Sequence, residues 1–268
     1  MSGSRATLAP MAVTTIPGSR TRSVRQNLLD YQATRASFSS KAARSNMPGT
    51  LVAEKTQAVS IPAGDVAMAG DLAIPARARG ILLFAHGSGS SRHSPRNRFV
   101  ARELQQAGLA TLLLDLLTTA EERIDEMTGG TLRFDIGLLA QRLEAASDWV
   151  AANPPTRDLS VGYFGASTGA AAALVAAARW RGGVRAVVSR GGRPDLADEA
   201  LDAVRAPTLL IVGGDDRVVI ALNEEALRKL RCEKRLEIIP GATHLFEEPG
   251  ALEQVSAMAV EWFRRYLK

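Results

Sequence analysis

The 268-residue chain is 46% hydrophobic, enough to bury one core of about 200 to 220 residues with an extension left over. Its net charge of +5 is unevenly placed: of 33 Lys and Arg and 28 Asp and Glu, residues 1–50 hold seven basic and one acidic (Asp30), leaving 26 and 27 for the remainder. The body therefore lacks the basic, aromatic-interleaved stripe of a nucleic-acid binder, and no apolar run reaches transmembrane length, so neither nucleic acid nor membrane is expected as a partner.

Residues 1–50 are rich in Ser, Thr, Ala and Arg without sustained apolar periodicity, and are expected to form a disordered basic extension to a domain spanning 51–268. Their composition resembles an organellar transit peptide, but an unstructured leader or a start at Met47 is the plainer alternative; Leu8–Val13, interrupted by Pro10, is too short for a secretory core. The single cysteine, Cys232, permits no intramolecular disulfide and fits a reducing cytoplasm, the expected location.

From Thr56 the pattern becomes regular. Thr56–Ile61 and Val66–Ile74 predict an antiparallel hairpin across Pro62-Ala63-Gly64-Asp65. Gly80–Ala85 predicts a buried strand, Arg98–Ala107 an amphipathic helix stopped at Gly108, and Ala110–Asp115 a second buried strand. A long helix follows over Arg133–Ala152, stopped near Pro154-Pro155. Further strands are expected at Leu159–Phe164, Val184–Ser189, Pro207–Val212 and Lys234–Ile239, with helices over Ala221–Leu230 and Gly250–Tyr266. Alternating strands and helices predict an α/β fold: a mostly parallel sheet covered on both faces, with its working edge at the carboxyl ends of the strands.

The organising stretch is LSVGYFGASTGAAAALVAAARW, residues 159–180. An apolar strand runs into Gly165-Ala166-Ser167-Thr168-Gly169 and then an alanine-rich helix. In G-x-S-x-G the small flanking residues let strand and helix approach closely and hold the serine in strained φ/ψ with Oγ exposed. The five-residue pattern is common by chance; its strand-to-helix setting makes Ser167 the candidate nucleophile. Two later strand-end loops supply partners, Gly213-Gly214-Asp215-Asp216 and Gly241-Ala242-Thr243-His244. The order Ser, Asp, His suits an acid that orients an imidazole and an imidazole that takes the serine proton. His244 is the candidate base. Asp216 is preferred to Asp215 as the acid because Gly213, Asp216 and Val219 complete the spacing G-x-x-D-x-x-V. The oxyanion hole requires the N–H of Thr168 and one from His86-Gly87-Ser88-Gly89, where Ser88 is the expected donor and His86 shapes the loop.

FAHGSGSS, GYFGASTGAAAAL, LLIVGGDDRVV and IPGATHLFEEPGALEQV together resemble the α/β-hydrolases of the dienelactone hydrolase-like group, including hydrolase modules fused to phosphoribosyltransferase domains. The resemblance covers about residues 56–268 and implies Ser167, Asp216 and His244 as a triad. It departs from dienelactone hydrolase proper in having serine where that enzyme has cysteine, and no phosphoribosyltransferase motif is visible. Only Gly191–Ala206 separates two successive strands, too little for a large lid, so a small soluble ester is the expected substrate. The acidic connection Leu116–Leu132 is expected to form a rim or a solvated face. The acidic substrates implied by the resemblance direct attention to Arg190, Arg193 and Arg92, near the sheet's carboxyl edge, as carboxylate clamps, with pairing to Asp195 or Asp198 as the alternative. The expected function is a cofactor- and metal-free serine hydrolase, monomer or homodimer. An acyltransferase, and a binding module with an idle triad, are the alternatives.

Overall fold

The computed structural model describes residues 56–268; the expectations for residues 1–50 lie outside the described residues. Strands β1 (Gln57–Ala63) and β2 (Val66–Ala73) form an antiparallel hairpin in which Gly64 takes the positive φ that a two-residue turn requires. There follow β3 (Gly80–Ala85), α1 (Pro95–Gln106), β4 (Ala110–Leu114), α2 (Thr119–Met127), a short 3-10 turn at Leu132–Phe134, and α3 (Ile136–Ala152). The second half comprises β5 (Ser160–Ala166), α4 (Thr168–Arg179), β6 (Ala186–Arg190), a 3-10 segment (Pro194–Ala203), β7 (Thr208–Gly213), α5 (Arg217–Lys229), β8 (Lys234–Ile239) and α6 (Ala251–Tyr266).

The eight strands lie in the order β1-β2-β4-β3-β5-β6-β7-β8, and every pairing from β4 through β8 is parallel. Because successive side chains on a strand point to opposite faces, β3 feeds two cores. Ile81, Leu83 and Ala85 pack with Leu139, Leu143, Ala146 and Val150 of α3 and the alanines of α4. Leu82 and Phe84 pack on the other side with Val100 and Leu104 of α1 and Val255, Ala259, Trp262 and Phe263 of α6. The rings of Phe84 and Phe164 lie 4.8 Å apart on that second face. Each fully buried leucine here, such as Leu104 or Leu143, contributes about 2 kcal/mol of transfer free energy.

Several elements differ from the sequence expectation, among them α5, which starts at Arg217 and not Ala221, and three that border the site. Helix α1 starts a turn early, because Ser94 Oγ accepts the Asn97 N–H and Pro95 occupies the first helical position. The acidic connection after β4 contains a true helix, α2, nucleated by a capping box in which Thr118 and Glu121 bond each other's backbone N–H. Strand β6 runs on to Arg190, so this residue belongs to the buried strand end. No described helix is long and apolar enough to cross a membrane.

Candidate active site

The site begins where β5 becomes α4. Ser167 sits between them at φ 51°, ψ −122°, outside the regions that a residue with a Cβ ordinarily occupies. The backbone holds it there: its N–H donates to the Arg190 carbonyl at 3.3 Å, and its carbonyl accepts from Arg193 and Ala170 at 3.1 Å. Two glycines make the turn sterically feasible. A Cβ on Gly165 would lie 2.4 Å from Ala170 Cα, and one on Gly169 would lie 2.2 Å from the Ala85 carbonyl oxygen and 2.4 Å from that of His86. The pattern G-x-S-x-G is thus demanded twice by backbone–backbone contact and once by the strain at the serine.

His244 and Asp216 reach the same edge from the loops after β8 and β7. His244 Nδ1 and Asp216 Oδ2 are 2.7 Å apart. A carboxylate only accepts, so Nδ1 carries the proton and Nε2 presents its lone pair. Asp216 also begins α5, where its Oδ1 accepts the Val219 N–H at 3.4 Å. The neighbouring Asp215 is exposed, and its backbone N–H bonds Ala242. Gly191, at φ 51°, provides the floor beneath the imidazole: a Cβ there would lie 3.2 Å from the His244 carbonyl and 3.5 Å from His244 Cε1. Since Arg190, the residue before it, holds the Ser167 N–H, the end of β6 and the glycine after it lie against both serine and histidine. No signal in the sequence distinguishes Gly191 for this task. Among the described residues neither Ser167 Oγ nor His244 Nε2 has a hydrogen-bond partner.

The loop after β3 closes over the serine. A Cβ on Gly87 would lie 3.0 Å from Ser167 Cβ and 3.7 Å from its Oγ, so a side chain at Gly87 would crowd the serine. His86 Nε2 accepts the Leu116 N–H at 3.2 Å and Nδ1 lies 3.0 Å from the Gly87 carbonyl, which spends the ring on loop shape. The Thr168 N–H, at the first turn of α4, meets no acceptor among the described residues. The Ser88 N–H is engaged: it donates to Thr168 Oγ1 at 2.9 Å.

The three arginines part company. Arg92 pairs with Asp115 through both its backbone N–H, at 2.7 Å, and its guanidinium, and lies 3.6 Å from Asp71, tying the loop after β3 to β2 and to the residue that follows β4. Arg193 makes a bidentate pair with Asp195 at 2.9 and 2.7 Å, and that partner raises its pKa. The guanidiniums of Arg92 and Arg193, two of the three expected clamps, thus pair with carboxylates of the chain itself. Arg190 is 8% exposed, its Nη1 is buried without a partner, and its guanidinium bonds no group among the described residues. Burial, with Arg96 nearby, lowers its pKa to about 10.

Beside the elbow lies a cavity of about 270 Å³ between the loop after β3 and α2, lined by Gly87, Ser88, Thr168, Leu117, Asp125 and Arg133 among others; the lining reaches Thr168 but not Ser167 or His244. Burial pushes the Asp125 carboxyl up, but the Arg133 guanidinium and the N–H groups of Arg133 and Leu132 outweigh it and hold the carboxyl below its usual value. Asp125 thereby pins the end of α2 to the 3-10 turn. Among the described residues no group of three or more His, Cys, Asp or Glu is placed to hold a metal ion.

The model of the dienelactone hydrolase family matches residues 68–267. Two Mycobacterium tuberculosis proteins, from strains CDC 1551 and H37Rv and both named phosphoribosyl transferase, are 58% identical over 213 residues. The alignment takes in 80% of this chain but only 47% of theirs, so the chain spans about half the length of these relatives. Among solved structures, a dienelactone hydrolase from Anabaena variabilis is 65% identical with TM-score 0.78, covering 80% of this chain and 99% of its own. Est1E from Butyrivibrio proteoclasticus, 17% identical with TM-score 0.64 and covering 78% and 97%, shares the fold. The family model and the near-complete, high-identity overlap with a solved relative agree with the elbow and sheet order found here: the chain belongs to the dienelactone hydrolase family and has the α/β-hydrolase fold.

Proposed function

We propose that this chain is a serine hydrolase cleaving a small carboxylic ester through Ser167, His244 and Asp216. The observation that carries this is the 2.7 Å contact between Asp216 Oδ2 and His244 Nδ1, made at the sheet edge where the Arg190 carbonyl holds the strained Ser167 and Gly191 leaves room for the imidazole. In the proposed reaction Ser167 Oγ bonds to the acyl carbon while its proton passes to His244 Nε2. The carbonyl π electrons move to oxygen, where the Thr168 N–H receives the charge. Collapse breaks the bond to the leaving alcohol, which takes the proton from His244. Water then repeats the sequence on the acyl-enzyme, releasing the acid and restoring Ser167. Arg190, the one of the three arginines without a carboxylate partner, is the residue proposed to favour substrates bearing an acidic group.

Two measurements test the proposal. A fluorophosphonate probe should label the wild-type chain and not Ser167→Ala. Hydrolysis of p-nitrophenyl acetate by Ser167→Ala should fall to background, since losing one triad member costs on the order of a millionfold in turnover. A variant retaining a tenth of wild-type activity would remove Ser167 from this role. An unlabelled wild-type serine would favour a binding module with an idle triad.

A further inference from the structure

Oxyanion holes of this fold are expected to use two backbone donors, and here one of them is already spent. The Ser88 N–H, one residue past the Gly87 that lies against the Ser167 side chain, donates to the Thr168 hydroxyl 2.9 Å away. Thr168 is 2% exposed, lines the cavity beside the elbow, and accepts this one bond; among the described residues its own hydroxyl proton is given to nothing. A buried hydroxyl that accepts from a fixed amide has its proton left to direct, and accepting polarises the O–H and makes it a better donor. The position fits: Thr168 follows the nucleophile, and its N–H is likewise without an acceptor.

We propose, resting on the serine-hydrolase function above, that Thr168 supplies two donors to the oxyanion, its backbone N–H and its side-chain Oγ1–H. The Ser88 amide acts through that hydroxyl as a positioning group. Threonine at this position is then a catalytic residue in its own right. The hydroxyl rotates about Cβ–Oγ1 to point its proton at the carbonyl oxygen as charge develops there, while its lone pair stays on the Ser88 N–H.

The test compares Thr168→Val, which keeps the shape without the hydroxyl, with Thr168→Ser, which restores it, and with Thr168→Ala should the valine fail to fold. Each is measured for kcat and KM on p-nitrophenyl acetate, for affinity toward a trifluoromethyl ketone that forms a tetrahedral oxyanion on the serine, and for melting temperature. Thr168→Val should lose about 100- to 1,000-fold in kcat, the usual loss for one oxyanion donor, with KM little changed. Ketone affinity should fall in parallel, and Thr168→Ser should recover most of both. A valine variant as fast as wild type, or faster, overturns the proposal, because the hydroxyl would then be idle or merely plug the Ser88 amide. A loss confined to KM and melting temperature, unrescued by serine, overturns it too, since that describes packing. Ser167→Ala run on the same ester separates the two hypotheses: if wild type is no faster than Ser167→Ala, the hydrolase function itself falls and takes the oxyanion role with it. A wild type that far outpaces Ser167→Ala but matches Thr168→Val removes the oxyanion role alone.

Discussion

Asp216 divides its carboxylate between two neighbours, Oδ2 lying 2.7 Å from His244 Nδ1 and Oδ1 accepting the Val219 N–H at the start of α5. The helix fixes the direction from which the imidazole is held. Asp216→Asn has one acceptor oxygen for two donors and can present an N–H to the ring, favouring the wrong tautomer. Turnover should drop by about 10⁴-fold. Asp215→Asn, at an exposed side chain, should stay within about twofold, as surface changes do. Steady-state kinetics on p-nitrophenyl acetate decides, and the reverse ranking would move the acid to Asp215.

Gly169 meets the carbonyls of Ala85 and His86, which are backbone and cannot swing aside. Gly169→Ala should therefore displace the oxyanion loop from the elbow. Overpacking of this kind costs roughly 1–3 kcal/mol, a fall of about 3–10 °C in melting temperature for a domain of this size. Fluorophosphonate labelling of Ser167 should slow in step. Labelling at the wild-type rate would mean that the loop adapts without consequence.

Arg190 is a buried cation with no counter-charge among the described residues, a costly arrangement unless something else completes it. Arg190→Met, similar in length and uncharged, should leave the melting temperature unchanged or higher. On a monoester of a dicarboxylic acid, kcat/KM should fall at least about tenfold more than on a matched neutral ester, a difference of roughly 1.4 kcal/mol. Equal losses on the two substrates would make Arg190 a structural residue and leave the ester's charge unselected.

Asp125 ties α2 to the 3-10 turn through Arg133 and two amides, and its carboxyl titrates below the usual range. A depressed folded-state pKa means that the unfolded segment binds the proton more readily. The stabilisation is therefore complete above about pH 4, near the unfolded carboxyl's pKa, and is lost as pH falls through the lower folded value. Amide exchange across Thr119–Met127 should show the rim loosening over that acidic window in the wild type. In Asp125→Asn it should already be loose at neutral pH. Equal protection in both proteins at pH 7 would deny Asp125 its anchoring role.

The sheet was legible because inner strands such as Gly80–Ala85 are continuous apolar runs bounded by turn residues; this one begins and ends where the residues alone place it, as does the more polar edge strand Lys234–Ile239. Ser167, Asp216 and His244 could be found as candidates since each lies in a loop after a strand that the sequence places. Helix α2 is harder to see. Its two large apolar residues, Ile124 and Met127, are 48% and 79% exposed, so it presents no buried stripe to betray a helical period, and only Thr118 and Glu121 announce it. The arginines divide on the same ground. Arg193 meets Asp195 two residues away and the pairing could be anticipated, whereas Arg92 meets Asp71 and Asp115, brought to it from β2 and the end of β4. Charge pairing across a sheet has no local pattern to read.

The candidate triad is drawn from the ends of β5, β7 and β8, and these strands leave the ribosome in that order. The elbow emerges with its hydroxyl while the imidazole has yet to be translated, and β8, the last strand of the sheet, must dock against β7 before the loop bearing His244 has a place to rest. If the triad acts as proposed, Ser167 gains its base only once the loop after β8 is in place. A fragment cut anywhere between α4 and β8 would retain the serine and much of the parallel sheet yet lack the base, so reactivity at Ser167 would report that translation and folding had both run to the far edge of the sheet.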